Sequence, residues 1–167
     1  MKRILLSLTL LSTLLIGCKK DSSVGADPEP EVNMSVAEQN ARAATRYLEE
    51  ARQLDGIQVT GSGLMYQVIE DGEGDKPNAA SMVTVHYEGT FPDGEVFDSS
   101  VARGTPATFP LSRVIPGWTE GVQLMSPGAK YKFHIPPSLA YGATGTPGGP
   151  IGPNQALVFT VELISFE

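Results

Sequence analysis

One cysteine stands in the whole 167-residue chain, so no internal disulfide can form, and Cys18 with two histidines cannot supply a four-ligand zinc site. Basic residues are scarce. Twelve Lys and Arg face 19 Asp and Glu, a net charge of −7, and two of the twelve, Lys2 and Arg3, lie in the first three positions. That balance is a poor match for phosphate backbones and argues against nucleic acid as a partner. Aromatic residues make up only 7%, so any site built on them must use a few well-placed rings. No GxGxxG, no Gly-Lys pair for a phosphate loop and no GxSxG elbow occurs. What is present, 41% apolar and 19% charged, is the composition of an ordinary folded domain. Its work is expected to need no metal, no cofactor and no thiol.

Residues 1–17 read MKRILLSLTLLSTLLIG: a basic start, then a Leu-rich run from Ile4 to Ile16. As a helix that run would be about 20 Å long, short of the ~30 Å hydrocarbon core. It reads as a signal peptide rather than a permanent span. Its end, Leu15-Ile16-Gly17-Cys18, resembles the lipobox of bacterial lipoproteins, in which the cysteine is lipidated and becomes the new first residue. A buried core cysteine is the alternative, but nothing around Cys18 could form a core. The resemblance implies several acyl chains on Cys18, enough for stable anchoring where one chain is marginal. Residues 18–33 are polar and acidic, with helix-disfavouring Pro28 and Pro30, and read as a tether able to reach about 50 Å. The expected location is therefore the bacterial cell envelope, lipid-anchored and facing the periplasm or exterior. Lys19 resembles the residue that follows the cysteine in lipoproteins passed on to the outer membrane.

Helical signals begin after the tether, and residues 34–56 are expected to form an N-terminal helix. Ser35 and Glu38 make a capping-box pattern, with Asn33 a competing cap, and Gly56 offers a stop. Ala37, Ala41, Ala44, Leu48 and Ala51 form a thin stripe, a weak seam for a dimer and better suited to a spacer or to resting on the chain's own domain. A monomer is the expected state. From residue 57 to 167 the period changes to two. Val83, Val85 and Tyr87 share one face, Tyr131, Phe133 and Ile135 another, and Leu157, Phe159, Val161 and Leu163 a third. One short helix fits between these runs, with Pro116 in its first turn and Trp118, Val122 and Met125 at i, i+4 and i+7. An antiparallel sheet with one apolar face and one covering helix is an α+β architecture. Residues 142–153 hold eight Gly or Pro in twelve, and read as a structured flap.

The alternation puts His86 and His134 on polar strand faces, where solvated side chains are the simpler account and no inward histidine reaches Ser99 or Ser100. Most carboxylates lie among polar neighbours. Asp98, after Phe97 in VFDSS, is the exception: either a partnered carboxylate near buried aromatics or a turn cap before the two serines.

Three ordered segments, VHYEGTFPDGEVFDSS, VIPGWTEGVQLMSPGAKYKFHIPPSLAYGATG and ALVFTVEL, resemble the FKBP-type peptidyl-prolyl cis–trans isomerases, in a bacterial lipoprotein form like the Mip-like relatives. The likeness covers about the last 105 residues. It implies a twisted antiparallel sheet of five or six strands wrapped around one short helix, with a hydrophobic cleft between them. It further implies that Trp118 floors the cleft beneath a proline ring and that Phe97, Phe159 and Ile151 form walls. The Tyr141 hydroxyl would meet a substrate carbonyl, and the Ile115 amide would hold the substrate backbone. Asp98 would lie near the Tyr87 hydroxyl and pair with Arg103. Val114 and Phe109 belong to the same set, with core packing an equal account of both. The chain departs from many relatives at Ala107, in the length of Pro110–Val114, with Arg113 at a variable edge, and in the flap at Gly149. The implied activity is isomerisation of X–Pro bonds in exported proteins, with Pro-containing polypeptides as substrates, macrolide inhibitors as candidate ligands and the membrane as anchor. A non-catalytic holdase gripping Pro-containing segments is the alternative from another class, and a dimer through the 35–55 helix a weaker idea.

Overall fold

Seven strands make one antiparallel sheet in the computed structural model, which describes residues 34–167. They are β1 (Gln58–Val59), β2 (Met65–Glu70), β3 (Met82–Thr90), β4 (Val96–Ser99), β5 (Ala107–Pro110), β6 (Lys130–Ile135) and β7 (Leu157–Phe166). Their order is β1-β2-β6-β7-β3-β4, and β5 pairs with β3 where β4 has ended. The α+β class stands. Seven strands replace the five or six of the sequence reading because β1 is only two residues long and because one long strand, β3, accepts β4 and β5 in succession. The signal segment, Cys18, Asn33 and the tether lie outside the described residues.

The helix α3 (Pro116–Val122) covers the apolar face of the sheet. Pro116 occupies the first turn, where a missing N–H costs nothing, and Trp118 and Val122 point inward; Met125 is buried in the turn after the helix. Two glycines set how closely the helix lies. A Cβ on Gly117 would stand 2.7 Å from Ile135, and one on Gly121 would stand 2.6 Å from Phe133. The core between them holds Val83, Val85, Leu111, Phe133, Leu157, Val161 and Leu163, all fully buried.

The first helix, α1 (Val36–Ala51), starts as its sequence indicates. Ser35 caps it reciprocally with Glu38, whose carboxylate accepts from the Ser35 N–H at 2.9 Å while the Glu38 N–H donates to Ser35 Oγ at 3.3 Å. It stops at Ala51 rather than at Gly56, because the chain tightens into turns in which Gln53 N–H reaches Glu50 O and Leu54 N–H reaches Ala51 O. Gly56, at φ +72°, serves instead the turn into β1. The alanine stripe faces the helix's own domain, with Ala44 and Ala51 buried. Asn40 Nδ2 donates to Pro153 O at 2.8 Å, and Asn154 Nδ2 returns a bond to Ala37 O at 3.2 Å.

The same docking overturns the solvated reading of His134, which is 1% exposed. The Tyr47 hydroxyl on α1 is hydrogen-bonded to His134 Nδ1 at 2.5 Å, and Gln67 Oε1 on β2 lies 3.4 Å from Nε2. A polar position on the strand is thus sealed by a helix from elsewhere in the chain. Burial, aided by the charge of Lys132, pushes the imidazole down to about 4, and burial pushes the Tyr47 phenol up to about 12. The unfolded histidine, near 6.5, takes up a proton before the folded one does. Stability is therefore expected to fall as the pH drops from about 6.5 to about 4, by at most about 3 kcal/mol from this group. Urea midpoints at pH 7 and pH 4.5 measure the loss, and His134→Gln should flatten that slope; an unaltered slope would contradict the assignment.

His86 also departs from expectation. It is half-buried with Nδ1 3.1 Å from Ser100 Oγ, so a histidine does face this serine. Ser100 is fully buried and its hydroxyl bonds to the Tyr87 backbone N–H at 2.7 Å and O at 3.3 Å, a role in tying β3 to the chain after β4 rather than in attacking a substrate.

Candidate active site

A cleft of about 410 Å³ opens between α3 and the sheet, lined by Tyr87, Phe97, Asp98, Phe109, Arg113, Val114, Ile115, Trp118, Tyr141 and Phe159. All but Arg113 are among the residues that the family resemblance implies, Val114 and Phe109 with core packing as an equal account. They arrive from several different elements, each for a local reason. Tyr87 and Phe159 take inward positions of β3 and β7, strands that run side by side with Tyr87 opposite Val161. Ile115 is the N-cap of α3, and Trp118 follows one turn on, which turns the indole towards the sheet.

Trp118 is 4% exposed and meets three rings edge to face: Tyr87 at 5.3 Å between centroids, Phe109 at 5.8 Å and Phe159 at 5.3 Å. Its Nε1–H finds no oxygen or nitrogen acceptor among the described residues. Phe97 and Phe159 pack edge to face at 5.5 Å, an arrangement that requires Gly89. A Cβ at that position of β3 would lie 2.7 Å from both rings, so only glycine lets the two meet there. The sequence reading did not single out Gly89; the paired rings around a strand glycine were the available signal.

Asp98 meets the Tyr87 hydroxyl at 2.5 Å and forms an ion pair with Arg103. Arg103 in turn donates to the Tyr87 hydroxyl at 2.9 Å, and its guanidinium stands over the Tyr87 ring at 5.7 Å from the centroid. The turn cap is Ser99, which accepts from the Ala102 N–H at the start of α2 (Ser100–Arg103), so Asp98 is left to face Tyr87. Its side chain is 41% exposed, less enclosed than a neighbour of Phe97 suggested. Partial burial works against its charge, but the bonds from Tyr87 and Arg103 and the charge of Arg103 outweigh it and hold the carboxyl below its usual range. Burial, then the bond to Asp98, raises the Tyr87 phenol. Arg103 does not itself line the cleft; it is half-exposed behind Asp98.

Two residues differ from expectation. Ile151 is not among the residues that line the cleft: it is 5% exposed in the same buried cluster as Trp118 and Phe159, held where the flap folds on itself through Thr146 N–H to Ile151 O at 2.8 Å and Ile151 N–H to Thr146 Oγ1 at 3.1 Å. An apolar side chain in a Gly/Pro-rich loop does not reveal which way that loop turns it. Arg113, a variable edge by the family resemblance, lines the cleft from the turn Leu111–Arg113. Tyr141 is 41% exposed at the mouth, and neither its hydroxyl nor the Ile115 N–H makes a hydrogen bond within the described residues. The result is an aromatic, partly dry hollow with a phenol and a backbone amide left free to meet a polar group of whatever enters.

Comparison with known proteins agrees. The profile of the FKBP-type peptidyl-prolyl cis-trans isomerases matches residues 73–164, more than half the chain, and that of the domain amino-terminal to such isomerases matches residues 28–68. The FKBP-type peptidyl-prolyl cis-trans isomerase FkpA of Aeromonas hydrophila is 53% identical over 131 residues, 78% of this chain and 48% of its own. The outer membrane protein MIP of Legionella longbeachae is 48% identical over 129 residues, 77% of this chain and 55% of its own. The chain thus spans about half the length of the curated relatives it matches. A crystal structure of a peptidyl-prolyl cis-trans isomerase from Pseudomonas syringae pv. tomato superposes with a TM-score of 0.74 at 36% identity, covering 80% of this chain and 98% of that one. The chain belongs to the family of FKBP-type peptidyl-prolyl cis–trans isomerases.

Proposed function

We propose that this protein accelerates cis–trans rotation about X–Pro amides in exported polypeptides, working in the bacterial envelope on a lipid anchor at Cys18. The observation that carries the reading is the Trp118-floored aromatic cleft beside the unpartnered Tyr141 hydroxyl and Ile115 amide. Amide resonance sets the uncatalysed barrier at about 18–20 kcal/mol, and rotation takes tens to hundreds of seconds. No bond is broken. Twisting removes resonance, so the carbonyl is less charge-separated at the transition state than in the planar amide. Water stabilises the planar form better, and a dry aromatic hollow therefore favours the twisted one. Tyr141 orients the substrate carbonyl, the Ile115 N–H holds the backbone, and Trp118, Phe97 and Phe159 grip the ring. Bringing tens of seconds to milliseconds takes about 10⁴-fold, or roughly 5–6 kcal/mol, within reach of desolvation with one or two oriented hydrogen bonds.

Family membership and the cleft's composition support the activity. The anchor rests on the segment ending Leu15-Ile16-Gly17-Cys18; among the described residues no helix is long and apolar enough to cross a membrane. Purified protein should speed cis-to-trans conversion of a short Leu-Pro peptide in proportion to enzyme concentration, and binding without acceleration would mark a holdase instead. Labelled palmitate should enter the wild-type chain in bacteria and not Cys18→Ala; incorporation into both would remove the anchor from the proposal.

A further inference from the structure

We propose that Arg113 makes this cleft select X–Pro segments carrying an acidic residue next to the proline, an inference that rests on the isomerase reading above. Two charged side chains line the hollow, Asp98 and Arg113. Asp98 is already matched by Arg103 and by the Tyr87 hydroxyl. Arg113 has no ion-pair or hydrogen-bond partner among the described residues, so the lining carries one uncompensated positive charge on a chain whose net charge is −7. The backbone that presents it is held in place, though the side chain itself is exposed. The residue ends the turn Leu111–Arg113, anchored by fully buried Leu111, whose carbonyl accepts from Thr119 Oγ1 on α3 at 2.7 Å. The two residues that follow, Val114 and Ile115, carry the lining onward to the free Ile115 amide.

A substrate whose backbone meets that amide and whose ring lies on Trp118 extends its neighbouring residues over this rim. Carboxylate there meets a planar guanidinium able to bind both its oxygens, while a lysine meets like charge. The acidic surface elsewhere does not cancel the effect, because at physiological ionic strength charges beyond about 8 Å are largely screened. An exposed pair of this kind gives a modest factor, about three- to fivefold, and it appears in binding of substrate rather than in the rotation itself.

The test uses the full chain and two peptide series, one varying the residue before proline and one the residue after it, as Glu, Leu or Lys. The expected result in at least one series is a kcat/KM for Glu about three- to fivefold above that for Lys, shrinking in 0.5 M salt. Arg113→Gln should bring the ratio to about one, and Arg113→Glu should turn it in favour of Lys; a structural role alone would lower all peptides together and leave the ratio and its salt dependence untouched. Ratios in the Arg113 variants equal to wild type overturn this inference and leave the isomerase reading standing. A wild-type chain that accelerates no peptide, the neutral ones included, overturns that reading and this inference with it.

Discussion

Tyr87→Phe and Asp98→Leu are each expected to lower kcat/KM for X–Pro isomerisation about tenfold, with melting temperatures within a few degrees of wild type. Tyr87, Asp98 and Arg103 form a closed set: the phenol bonds to the carboxylate at 2.5 Å, the carboxylate pairs with the guanidinium, and the guanidinium returns to the phenol at 2.9 Å. Hydrogen bonds to charged groups contribute about 1.5–3 kcal/mol, and a factor of ten is 1.4 kcal/mol, so the low end is appropriate for a carboxylate 41% exposed. Fold should persist because neither of the two charges, on Asp98 and Arg103, is deeply buried and the Tyr87 ring keeps its packing on Trp118 and Phe159 as phenylalanine. The two losses should not add. Once either partner is gone the other has little left to contribute, and the double variant is expected near the single ones. Steady-state rates and thermal melts of the three variants decide the matter, and turnover unchanged in both single variants would remove these residues from the site.

The largest effect belongs to Trp118. Trp118→Ala empties the floor of the cleft and takes away three edge-to-face contacts at once. A cavity of that size in a buried cluster costs about 3–5 kcal/mol of stability, and activity should fall at least a hundredfold. Low activity in an unstable variant is ambiguous, so Trp118→Phe is the informative companion. It keeps a ring on the floor and removes a buried N–H that has no acceptor among the described residues, so little hydrogen bonding is lost. Its stability should lie much nearer wild type, with kcat/KM down only about three- to tenfold. Denaturant midpoints beside kcat/KM for both variants give the comparison; a Trp118→Phe enzyme as inactive as Trp118→Ala would show that the indole acts through its N–H rather than as an apolar floor.

Strand faces were legible wherever one side of a strand stays wet, since the period of two then survives in the residues, as in Val83-Val85-Tyr87 and Leu157-Phe159-Val161-Leu163. It failed at His134, where the polar side is covered by α1. Nothing local to KYKFHI announces that a helix some ninety positions earlier will supply a tyrosine. The cleft was legible for a different reason: its rings sit in short motifs whose resemblance to a known family carries their arrangement. Where the motif is silent the reading erred in both directions. Ile151 went into the core because the path of a Gly/Pro-rich flap depends on its own backbone bonds, and Arg113 came into the lining because the turn at Leu111 aims it there. Gly89 escaped notice since a glycine in a strand signals close approach without naming what approaches. The end of α1 slipped from Gly56 to Ala51 through turns that any of several polar residues could make.

Trp118 is the only tryptophan in the chain, so its indole N–H is a unique signal for the floor of the cleft. Two-dimensional exchange NMR on a Leu-Pro peptide with a small fraction of labelled protein reads rotation and location together. The account predicts cis-to-trans exchange cross-peaks on a subsecond timescale, with the Trp118 indole shifting as peptide is added. A shifted indole without exchange, or exchange with the indole unmoved, would contradict the claim that rotation is accelerated by resting the prolyl ring on that surface.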